Sequence, residues 1–447
     1  MVIDSESQFE ALISHINSDW IVIPIMLDHK KHPALNSLCL LYFYVIDSNE
    51  EFVLIVDHFD SIFSVTLEKI FPLFLYENKK YVFHKKDLLF YIPNQVNTYD
   101  LDIKAYLNSN EVIPVENTPS QEFFYRKFHQ FTQLNKLVPL YNLIDYCSQI
   151  KDNALPFVNK KDDISLVNYN EVIIPVIHSI ESAGLFYDKK IFQEFYPQKK
   201  LILNQDYLYT QYNLFTSTGR PSNKFGGINY AALNKENGIR KMFISRFGLN
   251  GELVEFDFDA YHLQLIANEI GFKFPTEMNI HEYLGRIYFG KDKLSEDEYL
   301  QSKQISFRLL YGGIDKDFEQ IDFFYEVNKY INKFFGELKK NTYINTPVFK
   351  RRFDVTNMED FNKYKTWNYL IQLLETEQSF YLMDKLLQKI KDFKSKLMLY
   401  TYDSFLFDIV LDEKEELIKI VNETMQTHNF RLKVKTGINY HELKTEK

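Results

Sequence analysis

The chain has 447 residues, 45% of them apolar and 25% charged, and carries a formal net charge of -9. That length holds two or three domains of globular composition. The acidic balance argues against bulk nonspecific attraction to nucleic acid but leaves room for a local basic channel. Two cysteines, Cys39 and Cys147, are too few for a disulfide framework or a thiolate metal site. No apolar run approaches the roughly 18 residues that cross a bilayer, so no membrane partner is expected. The opening MVIDSESQFE lacks the basic-then-apolar order of a secretory signal. A reducing, cytoplasmic setting is expected. The 40 Phe and 31 Tyr predict aromatic-rich cores and base-stacking surfaces.

In residues 1–150 strand candidates fall at 21–26, 38–46 and 52–57, and residues 123–149 read as helix. This order predicts an α/β domain with a mixed sheet. Residues 82–107, VFHKKDLLFYIPNQVNTYDLDIKAYL, carry His84 and Lys86 ahead of a helix, then Asp100, Ala105, Tyr106 and Leu107. The stretch resembles the middle of the proofreading 3′–5′ exonuclease domains attached to DNA polymerases, which are ribonuclease H-like. Such nucleases need a D-x-E on the first strand to hold two divalent ions. Here Ile23-Pro24-Ile25-Met26 stand there, and Gln133 and Asn135 replace the Asp of the last helix. Asp28, His29, His32, Asp87 and Asp100 remain as scattered polar residues, read as solvated or capping groups. A structural, nuclease-dead domain is expected. Residues 151–165, KDNALPFVNKKDDIS, read as a linker.

Further on, Val172, Ile173, Val176, Ile177 and Ile180 share one helical face. Gly184 has the place of a C-cap and Asp188 that of the next helix's N-cap. Residues 253–258 read as a buried strand. From Asp259 the spacing of Leu263, Ile266, Ala267 and Ile270 is helical. Asp257 therefore ends a strand just ahead of a helix, where a carboxylate is held rigidly yet open to a hard cation. Read alone, it is equally an ordinary strand-end aspartate. Lys303, Phe307 and Tyr311 recur at i, i+4, i+8 on one helix face, which by itself means only amphipathicity. Residues 397–409 alternate about a polar turn containing Asp403 and predict a hairpin. Lys350-Arg351-Arg352 is the densest basic cluster; it suits nucleic-acid backbone or a solvated face.

Taken in order from residue 166 to the C-terminus, these segments resemble the family A DNA polymerases, of which bacterial DNA polymerase I is the type. The likeness begins at the helix–GxxxD–helix around Gly184 and Asp188. Thr218-Gly219-Arg220 resembles the family's T-G-R, Arg240 its I-R-x-x-F, and Asp257 opens its first metal motif. NIHEYLGRIYFG, with His281, is similar to a fingers segment. Lys303, Phe307, Tyr311 and Gly312 are similar to the nucleotide-binding helix, Asn368 and Gln372 to N-x-P-x-Q, and Asp403 to the centre of H-D-E. The closing VKTGINYHELK resembles V-x-x-G-x-N-W-x-E, with Tyr440 for Trp.

The resemblance implies an α+β polymerase domain of right-hand architecture, with palm at 200–271 and 341–447, fingers at 272–340 and a thumb remnant at 166–199. It implies a template-directed DNA polymerase using two Mg²⁺ ions, with Mn²⁺ an acceptable substitute, on Asp257, Asp403 and the Phe258 carbonyl. Lys303 would neutralise the triphosphate. Phe307, Tyr311, His262, His281 and Arg308 would line the nucleotide site. Thr218, Arg220, Arg240, Gly312, Lys350, Arg351, Arg352, Asn368 and Gln372 would contact DNA. Three departures stand out: His262 for a Glu that screens the sugar 2′ position, Gln264 for an Arg, and Tyr299 for an Arg before Lys303, with Arg308 or Lys291 as substitutes for the lost phosphate contact. The implied partners are primer-template DNA, deoxynucleoside triphosphates and a processivity or other replisome protein standing in for the small thumb. The implied role is replication or repair of a phage, plasmid or bacterial genome, without proofreading. Two other readings stay open: altered nucleotidyl transfer (ribonucleotide-tolerant or template-independent) and a non-catalytic DNA-binding replication subunit.

Overall fold

The computed structural model describes residues 1–28, 31–61, 63–109, 134–199, 204–223, 228–356, 358 and 360–446. The chain divides into two compact units. The first comprises Met1–Gly184, Tyr209–Thr216 and Pro221–Tyr230; the second comprises Leu185–Leu208, Ser217–Arg220 and Ala231–Lys447. Helices of eight residues or more, and the strands of the two five-stranded sheets, are numbered below in chain order. None of the described helices is long and apolar enough to cross a membrane.

The first unit is built on strands β1 (Trp20–Met26), β2 (Leu38–Val45), β3 (Glu50–Ile55), β4 (Lys80–Val82) and β5 (Thr98–Asp100), in the order β3-β2-β1-β4-β5. Pairings β1–β2 and β2–β3 are antiparallel, whereas β1–β4 and β4–β5 are parallel, so the sheet is mixed. Pro24 is tolerated in the central strand because β4 pairs only as far as Val22, leaving that edge of Pro24 with no ladder bond to supply. Ile23, Pro24 and Ile25 are all buried. Around the sheet lie α1 (Glu6–Ile13), α2 (Leu101–Ser109), α3 (Leu140–Val158) and α4 (Ile174–Ala183).

Two sequence expectations change here. The helix expected over 123–149 begins at Leu140, after Pro139, while residues 123–133, with Gln133, lie outside the described residues. It then runs on through the first half of the expected linker, because Leu143, Cys147, Ile150, Ala154 and Val158 continue one buried stripe against the sheet. The charged residues 151 and 152 hid that stripe. The first unit also reaches Gly184 and takes in Tyr209–Thr216 and Pro221–Tyr230, stretches the sequence had assigned to the polymerase part.

The second unit carries an antiparallel sheet of β6 (Gly251–Phe258), β7 (Lys396–Tyr400), β8 (Ser404–Val410), β9 (Leu432–Gly437) and β10 (Lys444–Thr445), in the order β7-β8-β6-β9-β10. Its helices are α5 (Tyr261–Ile270), α6 (Ile280–Phe289), α7 (Glu296–Gly312), α8 (Asp322–Asn341), α9 (Lys363–Lys389) and α10 (Lys414–Gln426). In α5 the periodic Leu263, Ile266 and Ala267 are fully buried, and Gly271 closes the helix at a left-handed φ of 71°. A capping box of Ser295 and Glu298 starts α7, which stabilises such a terminus by about 1 kcal/mol. The α7 helix stops at Gly313, whose φ is 107° and whose Cβ, were there one, would lie 2.6 Å from the Tyr364 ring. No other residue fits there.

Candidate active site

The site lies at one end of the second sheet. Asp257 is the penultimate residue of β6, paired to Ser404 on β8 and to Lys433 on β9. Asp403 occupies the β7–β8 turn, and its carbonyl accepts from the Phe258 amide at 2.9 Å, extending the ladder by one step. The two carboxylates therefore come from adjacent strands. Although the Asp403 side chain is exposed, nearby protein desolvates it and the Asp257 charge repels its ionised form, so its pKa is raised. Two carboxylates that resist joint ionisation are a fitting site for a divalent cation, which relieves that repulsion. Among the described residues no cluster of three or more His, Cys, Asp or Glu is arranged to hold a metal. The protein would thus contribute Asp257, Asp403 and the Phe258 carbonyl, and hard-cation coordination would be completed by substrate oxygens and water.

Beside the carboxylates is a buried network that the sequence did not disclose. Glu375, on α9, is 0% exposed. Its carboxylate takes Arg220 at 2.8 and 3.0 Å and lies 3.0 Å from His262 Nε2. Burial alone would raise the Glu375 pKa; His262 and Arg220 hold it below the usual carboxylate value. The other ring nitrogen of His262 bonds the Tyr311 hydroxyl. The Arg220 guanidinium stacks 4.0 Å over the Tyr402 ring. Five residues from α5, α7, α9, the T-G-R loop and the β7–β8 turn are thereby joined. Asn368, Gln372 and Glu375 follow i, i+4, i+7 spacing, so they share one face of α9. That spacing was the only sequence signal that Glu375 belonged with the two amides.

On α7, Ser302, Ser306, Leu309 and Leu310 are buried, while Phe307 is 39% exposed on the opposite side. Phe307 and Tyr311 stack at 6.0 Å with an 11° interplanar angle. The Lys303 ammonium lies 4.6 Å over the ring of Tyr299, which fills the place expected for an arginine. His281 is only 3% exposed and packs edge-on behind Phe307 at 5.5 Å; burial lowers its pKa to about 4, so it is neutral at pH 7. It supports Phe307 from behind rather than facing outward.

Several expected contacts are engaged elsewhere. Arg308 pairs with Asp315. Five residues from Lys303, it is rotated about 140° around the helix from it. Lys291, the other substitute, pairs with Glu298. Arg240 is buried, donating to the Leu233 carbonyl at 3.0 and 3.2 Å beneath the Tyr440 ring, so it is not free to reach a DNA groove. The basic triplet does not form one patch. Arg351 is buried, Arg352 pairs with Asp354 over Tyr343, and Lys350 donates to the Pro347 carbonyl. Thr218 is buried, whereas Gly312 is exposed and Asn368 and Gln372 are partly exposed.

The second unit thus sets two carboxylates at one end of an antiparallel sheet and carries a helix with a lysine and two stacked aromatic rings. The sequence profile of DNA polymerase family A matches residues 189–444, and the chain belongs to that family. It is similar to DNA polymerase I of Caldicellulosiruptor bescii, 22% identical over 381 residues, covering 68% of this chain and 44% of that protein. It is also similar to DNA polymerase I of Bacillus subtilis, 23% identical over 267 residues, covering 52% of this chain and 30% of that protein. The chain therefore spans less than half the length of these relatives. In fold it is similar to the POL domain of Pol1 from M. smegmatis, solved in complex with DNA primer-template and dNTP, with a TM-score of 0.71, 15% identity and 99% of each chain covered.

Proposed function

We propose that the chain is a template-directed DNA polymerase that adds deoxynucleotides to a primer 3′-OH. The observation that carries this reading is the nearness of Asp257, at the end of β6, to Asp403, in the adjoining β7–β8 turn, in a family A fold. Two Mg²⁺ ions, or Mn²⁺ in their place, would supply charge neutralisation at the attacking and leaving oxygens. Asp257 and Asp403 would hold these cations. Lys303 offsets the triphosphate charge. Phe307 packs against the incoming sugar and base, with neutral His281 fixing its ring. Tyr311 and Gly312 mark the templating position. Arg220 and Tyr402 brace the floor of the site through Glu375, while Asn368 and Gln372 offer amides to the primer-template minor groove.

His262 leaves sugar selection open to a second reading, tolerance of ribonucleotides, because its side chain bonds Tyr311 and lies 3.0 Å from Glu375 where the family has a carboxylate. The first unit is read as an exonuclease-like domain that has lost its nuclease chemistry. Its Asp100 is buried and caps, accepting from the amides of Lys85 and Ile103. A cavity there, bordered by His84, Lys86 and Asp87, has about 30 Å³, room for a water or two. Within that unit Lys86 is paired with buried Glu181 at 2.7 Å. Residues 166–199 are read as a reduced thumb. A weak grip on duplex follows, which a processivity or replisome partner would offset in phage, plasmid or bacterial replication or repair. Primer extension on DNA and RNA templates, with dNTPs or rNTPs and with metal omitted, tests the reading. DNA-templated, metal-dependent dNTP addition supports it, and no extension on any template contradicts it.

A further inference from the structure

Glu255 and Asp257 are alternate residues of β6 and project from the same face of the strand. Across from them on β9, Lys435 is registered opposite Glu255 and Lys433 opposite Asp257. Both lysines reach past the residue directly opposite. Lys435 Nζ reaches diagonally to Asp257 Oδ2 at 2.5 Å while keeping Glu255 Oε2 at 2.9 Å. Lys433 leans the same way, onto Asp259 at 2.6 Å, and Asp259 is further held by the Asn279 amide. Diagonal neighbours across an antiparallel pair are within reach of a side chain as long as lysine. The outcome is an ammonium seated on one of the two carboxylates read above as cation ligands.

We propose that Lys435 is a built-in counter-cation of Asp257, which an entering divalent ion displaces from Asp257 onto Glu255. The proposal rests on the reading of Asp257 as a metal ligand. An ammonium and a divalent ion compete for the same oxygen lone pairs, since one carboxylate oxygen cannot be close to both without the two cations repelling each other. Glu255 makes the exchange inexpensive. It is buried, lies directly opposite Lys435 and already holds it, so the lysine gives up one partner and retains the other. Lys433 cannot take this part, because Asp259 holds it one step further along the strand. Asp257 should therefore bind a free cation more weakly than an unescorted pair of carboxylates would. A cation arriving with triphosphate oxygens brings extra ligands that offset the displacement.

The test is Mn²⁺ binding to the full chain without DNA or nucleotide, counted as loss of the free-ion electron paramagnetic resonance signal. Lys435→Met and Lys435→Gln remove the charge. Each should bind Mn²⁺ about three- to tenfold more tightly than the parent, the range expected for removing a partly exposed cation from a carboxylate. Lys435→Arg keeps the charge and should bind as the parent does. Thermal melts by circular dichroism establish that each variant is folded. Unchanged or weaker binding in the folded neutral variants overturns the proposal. Asp257→Asn separates the two levels: it should lose this site, and undiminished Mn²⁺ binding there would overturn the metal-ligand reading itself.

Discussion

Replacing Glu375 by Gln should destabilise the second unit without opening a cavity, because the amide has nearly the volume of the carboxylate. What is lost is the charge that Arg220 and His262 share. Removing one partner of a buried ion pair costs roughly 3–5 kcal/mol. Two features of this site reduce that figure. The Arg220 side chain is 28% exposed and so is partly reached by water, and its guanidinium keeps the Tyr402 ring at 4.0 Å. About 2–3 kcal/mol remains, equivalent to a fall in Tm of about 5–10 °C for a unit of this size. The assay is differential scanning calorimetry of parent and variant at pH 7.5 and again near pH 4. The folded carboxyl titrates below the ordinary glutamate range, because His262 and Arg220 outweigh its burial. Its stabilisation is therefore fully present above that range and is lost as pH falls through the lower folded pKa. The gap between the two proteins should narrow in acid. Coincident melts at pH 7.5, or a gap that widens on acidification, would refute the network as described.

Two further outcomes follow from particular side chains. Phe307 has no hydroxyl to replace a missing sugar 3′-OH, so dideoxynucleotides should be incorporated poorly. Phe307→Tyr should relax this discrimination, and equal incorporation by both proteins in a chain-termination assay would count against the placement of Phe307 at the sugar. On the proposal that the first unit is a nuclease-dead domain, with buried Ile23, Pro24 and Ile25 in the metal-ligand stretch, a single-stranded 3′ end should survive prolonged incubation with Mg²⁺; metal-dependent shortening of it would contradict that proposal.

Local patterns in the sequence carried much of this architecture. The alternation ending at Asp257, the helical recurrence of Leu263, Ile266 and Ala267, and the i, i+4, i+8 spacing of Lys303, Phe307 and Tyr311 are short-range signals, and the strand and helices agree with them. What stayed hidden depends on partners far apart in the chain. Glu375 looks like any acidic residue of a long helix until Arg220, 155 residues away, is seen to meet it. Lys435 reads as a solvated strand lysine until the β6–β9 register sets it against Glu255 and Asp257. Arginine-rich motifs do not reveal which guanidinium is covered. Arg240 and Arg351 are buried, while Arg352 stays at the surface. Composition also misled at residues 151–158, where charges mask the apolar stripe that keeps α3 helical.

The central claim is that Asp257 and Asp403 act together on a primed template. Primer extension by the full chain with Mg²⁺ and dNTPs, comparing the parent with Asp257→Ala and Asp403→Ala proteins shown to be folded, tests it most directly. Both substitutions should abolish extension while leaving the Tm of the protein within a few degrees of the parent. Continued extension by either folded variant would contradict the assignment of the site.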